Sequence, residues 1–313
     1  MRDVPESSPT KPGMDTTKNL VIGSGPTGTL TAELLAEAGV PVTLVSRRGG
    51  NSTHPRIRHV SLDARDAVAL TALASGASVI FNCAMPAYDR WPQEFPPLAE
   101  AVSTATVRSG ASLVTLSNVY GYGAAPGPLV ESLPMAPTTV KGKVRAKMWQ
   151  DALDSGARVC EVRASDFLGH GAASLFTLLA LPRILRGEAL SYPGDLAAAH
   201  SWSFTRDVAL TLVRAAGQAS SWGRAWHVPS NTVSVQALSA QFAKLAAAPQ
   251  PALSRMTHTE LQHLADVDTI MREVVEMVYL FERPSVLDST LTERTLGVRA
   301  SALEEVLCDT LIE

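Results

Sequence analysis

Short apolar runs separated by amphipathic stretches set the rhythm of the first half of the chain. The runs at 19–23, 41–46, 57–60, 78–82, 111–117 and 157–163 are short and mostly apolar. Such runs predict strands that are covered on both faces. Between them, apolar positions recur at helical spacing over 26–38, 63–75, 94–109 and 141–155. Strands that alternate with helices imply a parallel sheet with helices on both sides. The stretch 121–140 is rich in Gly and Pro and reads as a surface excursion beside a cleft. After residue 165 the pattern loosens. Helices are predicted near 172–186, 205–217, 234–247, 259–264, 268–281 and 301–312, with a turn at Tyr192-Pro193-Gly194 and a strand from Ala225 to Val228. In the last helix Leu303, Val306, Leu307 and Leu311 share one face.

Chemistry enters at the first strand–helix junction. There the chain reads NLVIGSGPTG, and Gly23, Gly25 and Gly28 stand in the spacing G-x-G-x-x-G. Gly23 lets the chain turn off the strand, Gly25 carries no side chain to hold a pyrophosphate away, and Gly28 lets the helix pack close to the sheet. The amides and positive dipole end of the following helix then face the phosphates. Pro26 and Thr27 complete this turn. The motif is weak alone, but here it follows a strand and opens a helix that leads to a second strand. That context predicts a bound dinucleotide and an α/β fold of Rossmann type, a doubly wound parallel sheet with a smaller, mostly helical C-terminal substrate region. The expected division is a disordered tail over 1–17, an NAD(P)-binding domain over 18–169 to which 200–230 returns, and a substrate region over 170–199 and 231–313.

The end of the second strand bears on which dinucleotide. An NAD-selective site places an acid there for the ribose 2′-OH. This chain has Ser46, Arg47 and Arg48 instead. A guanidinium fork matches a 2′-phosphate, so NADP(H) is expected over NAD(H). The alternative is two solvated loop arginines.

Composition narrows the partners. The chain has 313 residues, 46% of them hydrophobic, and a net charge of −3. Nothing in that balance calls for nucleic acid or an anionic membrane, and no apolar run approaches a membrane span. The polar N-terminus lacks the apolar core of a secretory signal, with Met14 a candidate start. Cys83, Cys160 and Cys308 are widely spaced and fit reduced thiols, so a cytoplasmic location is expected. The histidine pairs His54/His59 and His258/His263 are five residues apart, not the i, i+4 of a helical metal pair, and no metal is expected.

In a parallel sheet the ligand lies at the carboxyl ends of the strands. The candidate segments are therefore SLDARD (61–66), FNCAMPAY (81–88), LSNVYGYG (116–123) and VRASDFLGHG (162–171). Asp63 could accept the adenine amine or cap a helix, and Ala64 adjoins it. Asn82, Cys83, Ala84 and Met85 are small or flexible and would let a nicotinamide riboside lie against the backbone. Asp166 and the segment 200–209 are expected to line or brace the substrate cleft, with Asp207 structural in the first turn of its helix. Tyr88, Trp91, Trp202 and Phe204 are either a substrate wall or ordinary core.

This succession resembles the extended short-chain dehydrogenase/reductase family, in particular its NAD(P)-dependent epimerase/dehydratase group. The resemblance runs from about 19 to 313. It is carried by the glycine turn, LSNVYGYG, Glu131 with Pro134 and Pro137, KGKVRAKM, VRASDFLG, HSWSFTRDVA and GRAWHVPS. It implies a small-molecule substrate and a homodimer paired through helices 94–109 and 141–155. The family's catalytic set is a Ser or Thr after the fifth strand and a Tyr-x-x-x-Lys pair on the next helix. With Glu131, Pro134 and Pro137 in register, Lys141 falls on the Tyr position, Arg145 on the Lys position and Asn118 on the Ser position, beside Ser117.

Two readings follow. In one, Lys141 moves the proton, its pKa depressed by burial near Arg145 and a cationic nicotinamide. Arg145 then binds the cofactor, Ser117 and Asn118 bind a substrate carbonyl, and Tyr120 is a reserve acid. In the other, the basic helix face is solvated and the protein is a non-catalytic NADP(H)-binding sensor or scaffold. The leading expectation is an NADP(H)-dependent oxidoreductase or epimerase/dehydratase-like enzyme acting on a small carbonyl or hydroxyl compound. A flavoprotein, starting from the same glycine turn, is a third.

Overall fold

Successive residues of the first strand face opposite sides of the sheet, and this alternation organises the fold. Leu20 and Ile22 point into one core and Val21 into another. In this computed structural model, which describes residues 18–312, the strands in chain order are β1 (Lys18–Ile22), β2 (Val42–Ser46), β3 (Ile57–Ser61), β4 (Ala77–Asn82), β5 (Ser112–Asn118), β6 (Val159–Ala164), β7 (Asp166–Leu168), β8 (Leu190–Tyr192), β9 (Ala199–Phe204), β10 (Ala225–His227), β11 (Asn231–Ser234) and β12 (Leu253–Arg255). The expected N-terminal tail lies outside the described residues.

Seven strands form the main sheet in the order β10-β6-β5-β4-β1-β2-β3, every neighbouring pair parallel. One face is covered by α1 (Pro26–Glu37) and, far along the chain, α6 (Thr205–Gly217), through Ala32, Leu35, Val208 and Leu212. The other carries α2 (Ala67–Ala74), α3 (Trp91–Ser109) and α4 (Val140–Asp154), through Leu70, Phe95, Leu98 and Val102. This is the doubly wound α/β architecture. The chain winds outward from β1 to β3, then returns to lay β4 on the other side of β1. A crevice therefore opens outside the carboxyl ends of β1 and β4, where such sheets bind ligands.

The C-terminal region has its own core, in which Phe176, Tyr192, Trp202, Phe242 and Phe281 meet. Its helices are α5 (Leu181–Leu185), α7 (Val235–Leu245), α8 (His258–Val267), α9 (Thr269–Met277), α10 (Tyr279–Glu282), α11 (Thr290–Leu296) and α12 (Leu303–Thr310). In α12, Val306 and Leu307 are buried and Leu303 and Leu311 pack against the same cluster, as the spacing predicts. Segment 200–230 divides. Helix α6 and β10 join the main sheet, whereas β9 pairs with β7 and β11 in a separate three-stranded sheet.

The helix expected over 172–186 is a correction. Residues 176–180 form a π-helical turn, and only then does α5 begin. Pro182 has no N–H to give the ladder, which explains the break. The helix expected over 268–281 likewise divides into α9 and α10. Strands β7, β8, β9, β11 and β12 and helix α11 were not foreseen. All are short, and their pairing partners are distant in sequence. Asp207 is buried and accepts both the N–H and the hydroxyl of Ser301 at 2.8 Å, so it ties α6 to the C-terminal segment. No helix among the described residues is long and apolar enough to cross a membrane.

Candidate functional site

A cleft of about 850 Å3 opens at the ends of β1, β2 and β4. Its floor explains the three glycines separately. Gly23 sits at φ +99°, and a Cβ there would stand 2.8 Å from the backbone of Ala84. A Cβ on Gly28 would run into the carbonyl oxygen of Gly23. A Cβ on Gly25 would meet nothing within 4 Å. The protein itself does not need glycine at 25, but a ligand lying against that backbone does. Gly25 also caps α1, whose ladder starts with Thr29 N–H to Gly25 O at 2.9 Å. The preceding helical amides have no partner within the helix. Pro26, Thr27 and Gly28 form the first turn behind this wall, with Thr27 and Gly28 buried.

At the end of β2, Ser46, Arg47 and Arg48 line the cleft, and both arginines are exposed. The Ser61 hydroxyl donates to Arg47 O at 2.8 Å and the Ser46 hydroxyl to Gly49 O at 3.0 Å, which fixes this loop. Asp63 and Ala64 line the opposite side. Asp63 does not cap a helix; Asp66 does, accepting from the amides of Val68 and Ala69. Asp63 instead accepts the Arg65 guanidinium, with Nη2 at 2.6 Å, and this bond holds its carboxyl down to about 2. Arg65 is thus a third guanidinium in the cleft. Sequence reasoning missed it, although it stands in SLDARD directly after a strand.

Cys83, Ala84 and Met85 complete the wall. Burial pushes the Cys83 thiol up to about 12, which keeps it protonated at neutral pH. At Met85 and Pro86 the cleft meets a second cavity of about 530 Å3, because the same two residues line both. Tyr88, Trp91, Asn118, Tyr120 and Asp166 supply the polar and aromatic part of this cavity, and α9 and the 173–179 segment supply apolar walls. The Tyr120 and Tyr88 hydroxyls are 3.4 Å apart. The Tyr120 ring stacks on Trp91 at 5.8 Å, and the Asn118 side chain accepts the Tyr120 N–H at 3.1 Å. Burial raises the pKa of both tyrosines, and Asp166 adds to the effect. Ser117 is buried in β5 and lines neither cavity. Trp202 and Phe204 lie in the core behind. The walls contributed by Ile270, Met271 and Val274 were missed, because an amphipathic helix in sequence does not say what its apolar face covers.

Lys141 and Arg145 are both buried on α4, and neither lines the cleft or the cavity. The Lys141 ammonium pairs with Glu273 and with Glu276, the latter at 3.3 Å, and lies 4.6 Å from the centre of the Tyr88 ring. Burial lowers its pKa, and Glu276 opposes that. Arg145 is held between the rings of Trp91 and Phe95, at 4.7 and 4.1 Å, with Nη2 3.6 Å from Met85 Sδ. Burial pushes it down to about 10, with Glu161 opposing, so it is cationic at neutral pH. It touches the cleft only through Met85. Its own side chain borders a groove of about 780 Å3 between α3 and α4.

Behind the site runs a buried polar chain. Glu161 accepts Arg163 Nε at 2.5 Å, and Arg163 Nη1 donates to the Tyr122 hydroxyl at 2.6 Å. That hydroxyl donates to His227 Nε2 at 2.6 Å, and His227 Nδ1 donates to Asp288 O at 2.8 Å. Among the described residues no group of three or more His, Cys, Asp or Glu could hold a metal.

Residues 16–65 match a family model described as FAD binding domain. This stretch is the β1-α1-β2-β3 unit around the glycine turn. No curated protein matches. Solved structures match over almost the whole chain. MoeE5 in complex with UDP-glucose and NAD is 20% identical, with 94% of this chain and 97% of that one covered and a TM-score of 0.74. UDP-glucose 4-epimerase from Thermotoga maritima, with UDP-glucose, is 16% identical over 94% and 97%, at a TM-score of 0.74. UDP-N-acetylglucosamine 4-epimerase from Methanobrevibacter ruminantium, in complex with UDP-N-acetylmuramic acid, is 15% identical over 95% and 97%, at 0.76. The fold is shared with these proteins over 94–95% of this chain.

Proposed function

We propose that the chain is a cytosolic NADP(H)-dependent oxidoreductase or epimerase/dehydratase-like enzyme, of extended short-chain dehydrogenase type, acting on a small carbonyl or hydroxyl compound. One observation carries this reading: the dinucleotide cleft and the second cavity adjoin, sharing Met85 and Pro86 as lining residues. The open space beside Gly25 suits a pyrophosphate, and Arg47 and Arg48 suit a 2′-phosphate. When bound, the nicotinamide would supply or accept the hydride. The chain's part is the proton and the orientation. Tyr120, its pKa raised, stays protonated at neutral pH and donates a hydrogen bond to a substrate oxygen in the cavity. Asn118 holds the Tyr120 backbone in place. Lys141, with its two carboxylate partners, serves as a strut between α4 and α9 rather than as the proton donor.

The flavin reading rests on a match to β1-α1-β2-β3 alone, a unit common to dinucleotide-binding sheets. The non-catalytic sensor is favoured by the withdrawal of Lys141 and Arg145 from both cavities. The experiment is direct. The purified protein should be colourless, should bind NADPH by calorimetry, and should oxidise it when a panel of small ketones and aldehydes is supplied. NADPH binding with no turnover on any of them would leave the sensor reading. A yellow protein would overturn both.

A further inference from the structure

The substrate cavity has a sign. We infer that it selects a small, mostly apolar molecule carrying one cationic centre, anchored by the carboxylate of Asp166. This rests on the proposal that the cavity is the substrate site, and it names the substrate class.

Among the described residues, no Lys, Arg or His lines the cavity, whereas Asp166 and Asp268 both do. Asp268 spends its Oδ1 on the amides of Ile270 and Met271 at the start of α9. Asp166 stands in β7 and caps no helix. Its Oδ2 faces His200 Nε2 at 2.8 Å, while its Oδ1 accepts nothing from the described residues. His200 is itself buried and held between Trp202 and Phe281, at 4.7 and 5.3 Å between ring centres. The carboxylate is therefore aimed by a fixed partner and has one oxygen to spare. Tyr88, Trp91 and Tyr120 line the same cavity, but the Tyr88 face already meets the Lys141 ammonium and the Trp91 faces meet Arg145 and the Tyr120 ring, so the carboxylate alone is the anchor. The ammonium of Lys141, which lies over the Tyr88 ring, is already paired with Glu273 and Glu276. A nucleoside diphosphate would bring two negative charges against Asp166 with no guanidinium to receive them. The chain thus shares its fold with proteins whose structures hold UDP-sugars, while its own cavity lacks the charges that would bind a diphosphate.

The test uses the whole protein with NADPH present and separately absent, and reads binding by calorimetry, so it does not depend on turnover. The probes are 2-phenylethylammonium, its neutral isostere 2-phenylethanol, and UDP-glucose. The ammonium should bind at least about tenfold tighter than the alcohol, the size of one charge-assisted hydrogen bond, and UDP-glucose should not bind. Asp166→Asn should erase the difference between the first two. Leu178→Lys, at an exposed position on the cavity rim, guards against a folding defect at Asp166. It should weaken the ammonium several-fold and spare the alcohol. Equal affinities for ammonium and alcohol, binding of neither, or binding of UDP-glucose would each overturn the inference. Loss of NADPH binding alone would instead strike at the proposed function.

Discussion

Glu276 grips the start of helix α4 three times: its Oε1 accepts the Lys141 Nζ and the Lys141 N–H, both at 3.3 Å, and its Oε2 accepts the Val140 N–H at 2.9 Å. Helix α9, which walls the cavity, is thereby bolted to α4 at the position where related folds are expected to carry a tyrosine. Lys141→Met should cost stability. A fully buried pair would lose about 3–5 kcal/mol, but both carboxylates keep about a quarter of their surface, so about 1–3 kcal/mol is expected. Thermal denaturation measures it. NADPH affinity should hold, while Tyr120→Phe should lower turnover by about a hundredfold or more with stability unchanged. If Lys141→Met instead abolishes turnover with no loss of stability, its ammonium is the acid after all.

Cofactor choice follows from the β2 end. With Arg47 and Arg48 in place of an acid, NADP(H) should bind more than about tenfold tighter than NAD(H), since charge-assisted bonds contribute about 1.5–3 kcal/mol each. Replacing both by Ala should bring the two affinities together in calorimetric titration. Equal affinities in the wild type would remove the assignment.

The glycines should separate ligand binding from folding. Gly25→Val puts a branched side chain into open space, so melting should stay near wild type while NADPH binding disappears. Gly28→Ala meets the Gly23 carbonyl and should cost about 1–3 kcal/mol in the same assay. A Gly25→Val variant that binds NADPH normally would mean the phosphates lie elsewhere.

Acid should unfold this protein through His227. Burial and the adjacent Arg163 hold it down to about 4, against an ordinary 6.5. Both ring nitrogens are used in the neutral form, so a second proton would face the Tyr122 hydroxyl. The unfolded chain takes up that proton first. This contribution is therefore full above pH 6.5 and is lost as pH falls toward 4, about 3 kcal/mol in all. Melting curves across that window should steepen in the wild type and flatten in His227→Asn. Parallel curves would mean other groups drive the acid transition.

Assembly is expected through α3 and α4, whose groove presents apolar surface that includes the half-exposed Val107. Light scattering at micromolar concentration should report a homodimer, and Val107→Glu should shift it to monomer. A wild-type monomer would end this expectation.

The sequence by itself determined the order of strands and helices in the first half and the glycine turn. These depend on short-range rules: apolar runs, helical periodicity, and the steric freedom of Gly23, Gly25 and Gly28. It also determined that two arginines, and no acid, end β2. Tertiary structure alone decided what became of Lys141 and Arg145. Spacing placed both on one helix face, but their environments come from residues far along the chain. Glu276 is 135 residues from Lys141, and Met85 is 60 residues from Arg145. The same holds for Asp166, whose partner His200 lies 34 residues on, in a strand no local pattern announced. Backbone conformation is mostly set by neighbours in sequence. The charge state and reach of a side chain are set by neighbours in space.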